Sequence, residues 1–265
     1  MCRLLGFVSN APITLCDLLG EQELAEFVAL SQTHGDGWGV ARATASGVEV
    51  IKAAEAAGES APFAHVARSL PADLGIVHLR WATLGLGVTS ENTHPFTDGQ
   101  IAFAHNGSVK PPDVIDALMP ATFASRRAGT TDSERYFLAT LAAAQEVEIA
   151  RALERTATAI AQRATFTSVN AMIATRDALH VINLFNPAAE AKEAAPHYYR
   201  MGYRITPNAV VVASSGWGDG WTFLENGDVL TVERATLAVH IHRCEGVPWV
   251  SRAGASTIFA DTTSR

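Results

Sequence analysis

The chain has 265 residues, 48% hydrophobic and 18% charged, with a net charge of −7, the profile of a soluble globular protein. Twenty basic residues against twenty-seven acidic ones offer no electrostatic footprint for a phosphate backbone, which excludes nucleic acid as the expected partner. No stretch approaches the roughly 20 apolar residues of a bilayer span, so no membrane insertion is expected.

Cys2 to Val8 reads as a short buried strand without an export signal ahead of it, and Leu15 to Leu30 carries apolar residues at helical spacing. The glycine-dense turn His34-Gly35-Asp36-Gly37-Trp38-Gly39 leads into Val40 to Ala43, which with Val48 to Ala53 predicts a hairpin. Gly75 to Ala82 and Gln100 to His105 read as interior strands flanking a polar loop. Thr131-Asp132-Ser133-Glu134 has the form of a capping box ahead of a helical run, Tyr136 to Ala144, and a second helix is expected over Ile149 to Thr165.

Strand patterning then returns at Ser168 to Ala174, Ala178 to Phe185 and Ala209 to Ser214. It continues at Trp221 to Leu224 and Asp228 to Glu233, around an Asn226-Gly227 turn. Strands, helices and strands again predict a layered α+β fold. Pro187 to Pro196 is linker-like, and residues 253–265 form a small, polar tail expected to be mobile. With no repeat and no boundary, 1–265 is expected to be one domain.

Cys2 is the residue with the most chemical content. Removal of Met1 would leave a thiol and an α-amine on one residue, and an amine titrating near 7.7 to 8.0 can take the proton of a thiol near 8.5. By position alone, Cys2 also reads as a small buried residue at a strand start. The cysteines Cys2, Cys16 and Cys244 form no CxxC pair, so neither disulfides nor a zinc knuckle is expected, and a reducing cytoplasm is the expected compartment. His34, His78, His94 and His105 lack HxH or HExxH spacing, so no metal is expected.

Six motifs carry a wider signal: Met1-Cys2-Arg3-Leu4-Leu5-Gly6, the turn 34–39, His78-Leu79-Arg80-Trp81-Ala82-Thr83, Glu91-Asn92-Thr93-His94-Pro95-Phe96, Ala104-His105-Asn106-Gly107 and Thr131-Asp132-Ser133-Glu134. In this order and with these separations the chain resembles the class II glutamine amidotransferases of the N-terminal nucleophile hydrolases. Its compact form resembles the standalone γ-glutamyl amidohydrolases of the ergothioneine pathway. The resemblance implies a four-layer αββα sandwich and attack by Cys2 on a γ-amide through a γ-glutamyl thioester. It implies that Arg80 grips the α-carboxylate of glutamine and that Asp132 receives the α-ammonium. Trp81 and Thr83 would wall the pocket, and the Asn106 amide with the Gly107 N–H would form the oxyanion hole.

Many members carry His where this chain has Leu84, so a hydrogen bond is lost or supplied elsewhere. Read without the family, Arg80 is a strand-end salt-bridge residue, Trp81 is core, Asp132 is a helix cap and Asn106-Gly107 is a turn. The expected substrate is glutamine or another γ-glutamyl compound, and no stretch is left over for an ammonia-accepting domain. Two enzyme readings follow, a standalone hydrolase and a glutaminase subunit serving a separate synthase. A catalytically silent amino-acid-binding module is the alternative from another class.

Overall fold

The computed structural model describes residues 2–82, 85, 87–193, 197–214, 217–247 and 256–258. In chain order the elements are β1 (Arg3–Ile13), α1 (Leu15–Ala29), β2 (Trp38–Thr44), β3 (Gly47–Ala53), α2 (Ala61–Ser69), β4 (Ala72–Leu79), β5 (Phe96–Thr97) and β6 (Ala102–Lys110). Then come α3 (Ala121–Ala124), α4 (Asp132–Ala143), α5 (Ile149–Arg163), β7 (Thr165–Ala174), β8 (Ala178–Asn183), α6 (Pro187–Glu190) and β9 (Met201–Ile205). Last are β10 (Ala209–Ser214), β11 (Thr222–Phe223), β12 (Asp228–Glu233), β13 (Val239–Arg243) and β14 (Ser256–Ile258).

Among the described residues the strands form two antiparallel seven-stranded sheets, ordered β11-β9-β10-β1-β4-β2-β3 and β14-β13-β12-β8-β7-β6-β5. Side-chain alternation gives each sheet two apolar faces, because successive residues of a strand point to opposite sides. Leu4 and Val8 of β1 pack with Ala102 and Ala104 of β6 and Met172 of β7 in a core between the sheets. Leu5 and Phe7 of β1 face outward onto Phe27 of α1 and Phe63 of α2. Phe103 of β6 and Val169 of β7 face outward onto Tyr136 of α4 and Leu153 of α5. Helices, sheet, sheet, helices is the four-layer αββα sandwich of an α+β protein.

Several local expectations are corrected. The helix from Leu15 is broken at Gly20, whose φ of 79° no helix accommodates. The Asn226-Gly227 turn joins no hairpin: β11 pairs with β9 in one sheet, while β12 pairs with β8 and β13 in the other. The crossing is held by side chains, since Asn183 Nδ2 donates to the carbonyls of Leu224 and Glu225, and the Asn226 amide bridges the N–H and carbonyl of Phe185. The linker-like stretch opens with α6, capped by Asn186. Within the polar tail, Ser256–Ile258 pairs with β13, and the other tail residues lie outside the described ones. Strands β9 and β13 were not anticipated.

Candidate functional site

The two strands that carry the principal motifs, β1 and β4, run side by side in the middle of the first sheet. Arg3 pairs with Leu79 in the β1–β4 register, which brings Cys2 beside the segment that follows β4. The Cys2 thiol lies 3.6 Å from the Trp81 carbonyl, to which it can donate, and the Trp81 N–H donates back to Sγ at 3.4 Å. Burial pushes the thiol pKa up, against the Trp81 N–H and the Arg80 charge that pull it down. The resting group is therefore a protonated thiol, and a nucleophilic role requires a base.

Beyond Leu79 the chain leaves the sheet for the 34–39 turn. Arg80 N–H donates to the Gly37 carbonyl at 2.7 Å, Asp36 N–H donates to the Arg80 carbonyl at 3.0 Å, and Asp36 Oδ2 accepts from Ala82 N–H at 2.8 Å. The turn fixes the segment without contributing a group to the recess. Arg80 is buried, yet its guanidinium donates only to main-chain carbonyls, Nη1 to Asp36 at 3.3 Å and Nη2 to Gly87 at 3.0 Å. No acidic side chain pairs with it among the described residues, so the salt-bridge reading is corrected. A buried cation without a counter-ion is costly, and an anion delivered to it is correspondingly favoured. Trp81 is 44% exposed and meets the His34 ring edge-on at 5.5 Å, which corrects the core reading. Thr83 and Leu84 lie outside the described residues.

The second sheet contributes from β6. Asn106 and Gly107 sit inside this strand, paired with Asn170 and Val169, so the turn reading is corrected. A bulge between Gly107 and Val109 leaves Ser108 out of register. Gly107 is obligatory on packing grounds, because a Cβ there would collide with the Ser168 carbonyl. Alternation places Asn106 on the inner face with Ala102 and Ala104, facing the sheet whose inner residues include Leu4 and Val8. Asn106 is 1% exposed, and neither its Oδ1 nor its Nδ2 has a hydrogen-bond partner. Buried amides are nearly always satisfied, so this pair of orphaned atoms calls for a ligand or water.

Helix α4 supplies the acid. Thr131 caps it, its Oγ1 accepting from Glu134 N–H at 3.1 Å, while the Glu134 carboxylate accepts from Ala128 and Gly129 N–H at 2.7 Å. The capping box is thus only half made, and Glu134 secures the preceding loop. Asp132 is the first helical residue and not the cap. Its Oδ2 accepts from Val109 N–H at 2.7 Å and its Oδ1 from Ser133 N–H at 2.9 Å, which ties α4 to the β6 bulge and leaves each oxygen further capacity.

Cys2, Arg80, Trp81, Ala82, His94, His105, Gly107, Thr131, Asp132 and Ser133 together line a recess of about 310 Å³, counting its open mouth. It brings together Cys2, Arg80, Trp81, Gly107 and Asp132, whereas Asn106, the residue before Gly107 on β6, is not in its lining. His105 and Ser133 were not anticipated as pocket residues. His105 Nε2 donates to the Ser168 carbonyl at 3.2 Å, so Nδ1 is the acceptor for the Ser133 hydroxyl at 2.9 Å. Burial holds His105 neutral. Its presence was legible only from strand alternation, which puts His105 on the same side of β6 as Gly107. Among the described residues no three His, Cys, Asp or Glu side chains gather as metal ligands, and no helix is long and apolar enough to cross a membrane.

Residues 1–185 match the family model described as glutamine amidotransferases class-II. A protein of Haemophilus influenzae called a putative glutamine amidotransferase is 29% identical over 254 residues, covering 86% of this chain and 82% of its own. A solved glutamine aminotransferase class-II domain protein from Silicibacter pomeroyi superposes with a TM-score of 0.63 at 20% identity, over 97% of this chain and 99% of that one. The glutamine phosphoribosylpyrophosphate amidotransferase of B. subtilis superposes with a TM-score of 0.58 at 15% identity, over 92% of this chain and 49% of that one.

Proposed function

The chain belongs to the class II glutamine amidotransferases, and from that premise we propose that it hydrolyses the γ-amide of glutamine or of a γ-glutamyl compound, with Cys2 as an N-terminal nucleophile once Met1 is removed. The recess that joins Cys2, Arg80 and Asp132 carries this reading. An α-amino acid end needs one cation and one anion, and here a guanidinium without a counter-ion and a carboxylate with spare acceptor capacity flank a thiol. Trp81 walls the mouth. Fixing the substrate by its far end makes attack on the γ-carbon effectively intramolecular.

The Cys2 sulfur attacks the γ-amide carbon, and the freed α-amine takes the thiol proton. The oxyanion that forms is held by the Asn106 amide and the Gly107 N–H. Collapse breaks the C–N bond, and the departing amine leaves with the proton carried by the α-amine. A γ-glutamyl thioester remains. Water then attacks the thioester, the α-amine accepts its proton, and cleavage of the C–S bond releases glutamate and returns the thiol. No cofactor enters these steps. A free thiol nucleophile suits a reducing cytoplasm.

A glutaminase subunit delivering ammonia to a separate synthase is the second reading, favoured because the fold matches about half of a larger amidotransferase. Intact-mass analysis before and after treatment with a glutamine-like chloroketone tests the chemistry. The expected result is loss of the Met1 mass and one adduct that Cys2→Ala abolishes together with glutamine and γ-glutamyl amide hydrolysis. Turnover retained by Cys2→Ala sinks the proposal.

A further inference from the structure

A γ-glutamyl compound held by its α-amino and α-carboxylate groups presents its nitrogen substituent at the opposite end. In the first sheet Arg80 follows β4, on one side of β1, whereas the segment that enters β9 lies on the other side. Arg3 leans toward that second side, its guanidinium 5.2 Å from the centroid of Tyr198. Arg3 is only 6% exposed, its Nη1 donates to the Cys2 carbonyl at 3.2 Å, and its Nε has no partner. No carboxylate pairs with it among the described residues. A second buried cation beside the nucleophile is not required for binding the glutamyl end, which Arg80 and Asp132 already match.

Tyr198 stacks edge-on at 5.1 Å against Tyr199, and Tyr199 lines a cavity of about 700 Å³, counting its open mouth. Its polar lining includes Ser108, Lys110, Thr167, Lys192 and Glu193. Ser108 follows Gly107 on β6, and Thr167 precedes Ser168, whose carbonyl packs against Gly107. At roughly 3.3 Å per residue along a strand, the cavity opens within one or two residues of the oxyanion site. Glu193 accepts a hydrogen bond from the Tyr199 hydroxyl at 2.6 Å, whereas neither Lys110 nor Lys192 has an acidic partner among the described residues. Counting Glu193, the cavity keeps an excess of positive charge, and Arg3 is linked to its wall through Tyr198, which packs on Tyr199.

We propose that this cavity is the leaving-group subsite and that it takes an amine bearing an anionic group, a carboxylate or a phosphate. The inference rests on the γ-glutamyl reading of the recess and narrows it. Lys110 and Lys192 attract the anion at the mouth, and Arg3 orients it beside the scissile bond.

Calorimetry with Cys2→Ala protein tests this without turnover, using γ-glutamylglycine, γ-glutamylphosphoethanolamine and the neutral γ-glutamylethylamide. The anionic amides should bind on the order of tenfold tighter than the ethylamide, and the tighter of the two anions identifies the group. In the same background, Lys110→Ala with Lys192→Ala should bring the ratio near one. These lysines are exposed, so folding is preserved, and Arg3→Gln is the second variant. Equal affinities for charged and neutral amides overturn the proposal, as does a preference that survives both variants. If the anionic preference is found but the processed wild-type protein hydrolyses none of these amides and no glutamine, the subsite stands and the hydrolase reading falls.

Discussion

Asn106 and Arg80 show how one side chain's surroundings separate chemistry from scaffolding. The Asn106 amide is buried within a strand with both polar atoms unpartnered, and its backbone is not among the positive-φ residues. Ala therefore fits the backbone, and Asn106→Ala removes a donor without straining the chain. Loss of one oxyanion donor costs roughly 3 kcal/mol, so kcat should fall about a hundredfold while the affinity for glutamate holds. A normal kcat, measured beside a thermal melt, would return Asn106 to a packing role. Arg80→Lys keeps the charge and loses the fork. The KM for glutamine should rise at least about tenfold, and an unchanged KM would mean that Arg80 serves structure only.

At the scale of an element, α4 does two jobs through its first turn. Thr131 satisfies an otherwise open N–H, and the next residue, Asp132, projects into the recess while its Oδ2 is held by Val109 N–H. Removing the cap with Thr131→Ala should cost about 1 kcal/mol, read as a lower urea midpoint with an unchanged slope. It should also raise the KM for glutamine, since the turn that carries Asp132 loosens. A stability loss without any change in KM would separate the cap from the site. The β6 bulge is the counterpart in the other sheet: it frees Val109 N–H for Asp132, and the Ser168 carbonyl leaves no room for a side chain on Gly107.

For the whole molecule, the buried histidines set a pH limit. His78 and His94 are buried with ring centroids 4.2 Å apart, and neither makes a side-chain hydrogen bond of good geometry. Burial pushes His78 down to about 3 and lowers His94 well below the usual imidazole range, aided by its neighbours' positive charges. In the unfolded chain both titrate near 6.5. Between these limits the unfolded state binds more protons, so stability rises with pH through the window and is lost as pH falls from about 6.5 toward 3. Urea unfolding at pH 7.5 and 4.5 should show a loss of a few kcal/mol, reduced in His78→Phe. An equal pH dependence in that variant would locate the acid sensitivity elsewhere.

Residue pattern alone marked out the strongly periodic helix and strand segments and the place of Cys2 just ahead of β1. It also determined, through six ordered motifs, the family and hence the sandwich. These are local or pattern properties, carried by residue type and spacing. What each group faces is set by the packing of the two sheets. It left Arg80 without an acid partner, turned Trp81 to the surface and set Asn106 inside a strand instead of a turn. It also split the segments around Asn226 between two sheets, set Arg3 over Tyr198 and gathered Tyr199 and Lys192 around one cavity. Those outcomes depend on which strands become neighbours and which face looks inward, and contacts between residues a hundred or more positions apart leave no periodicity to read.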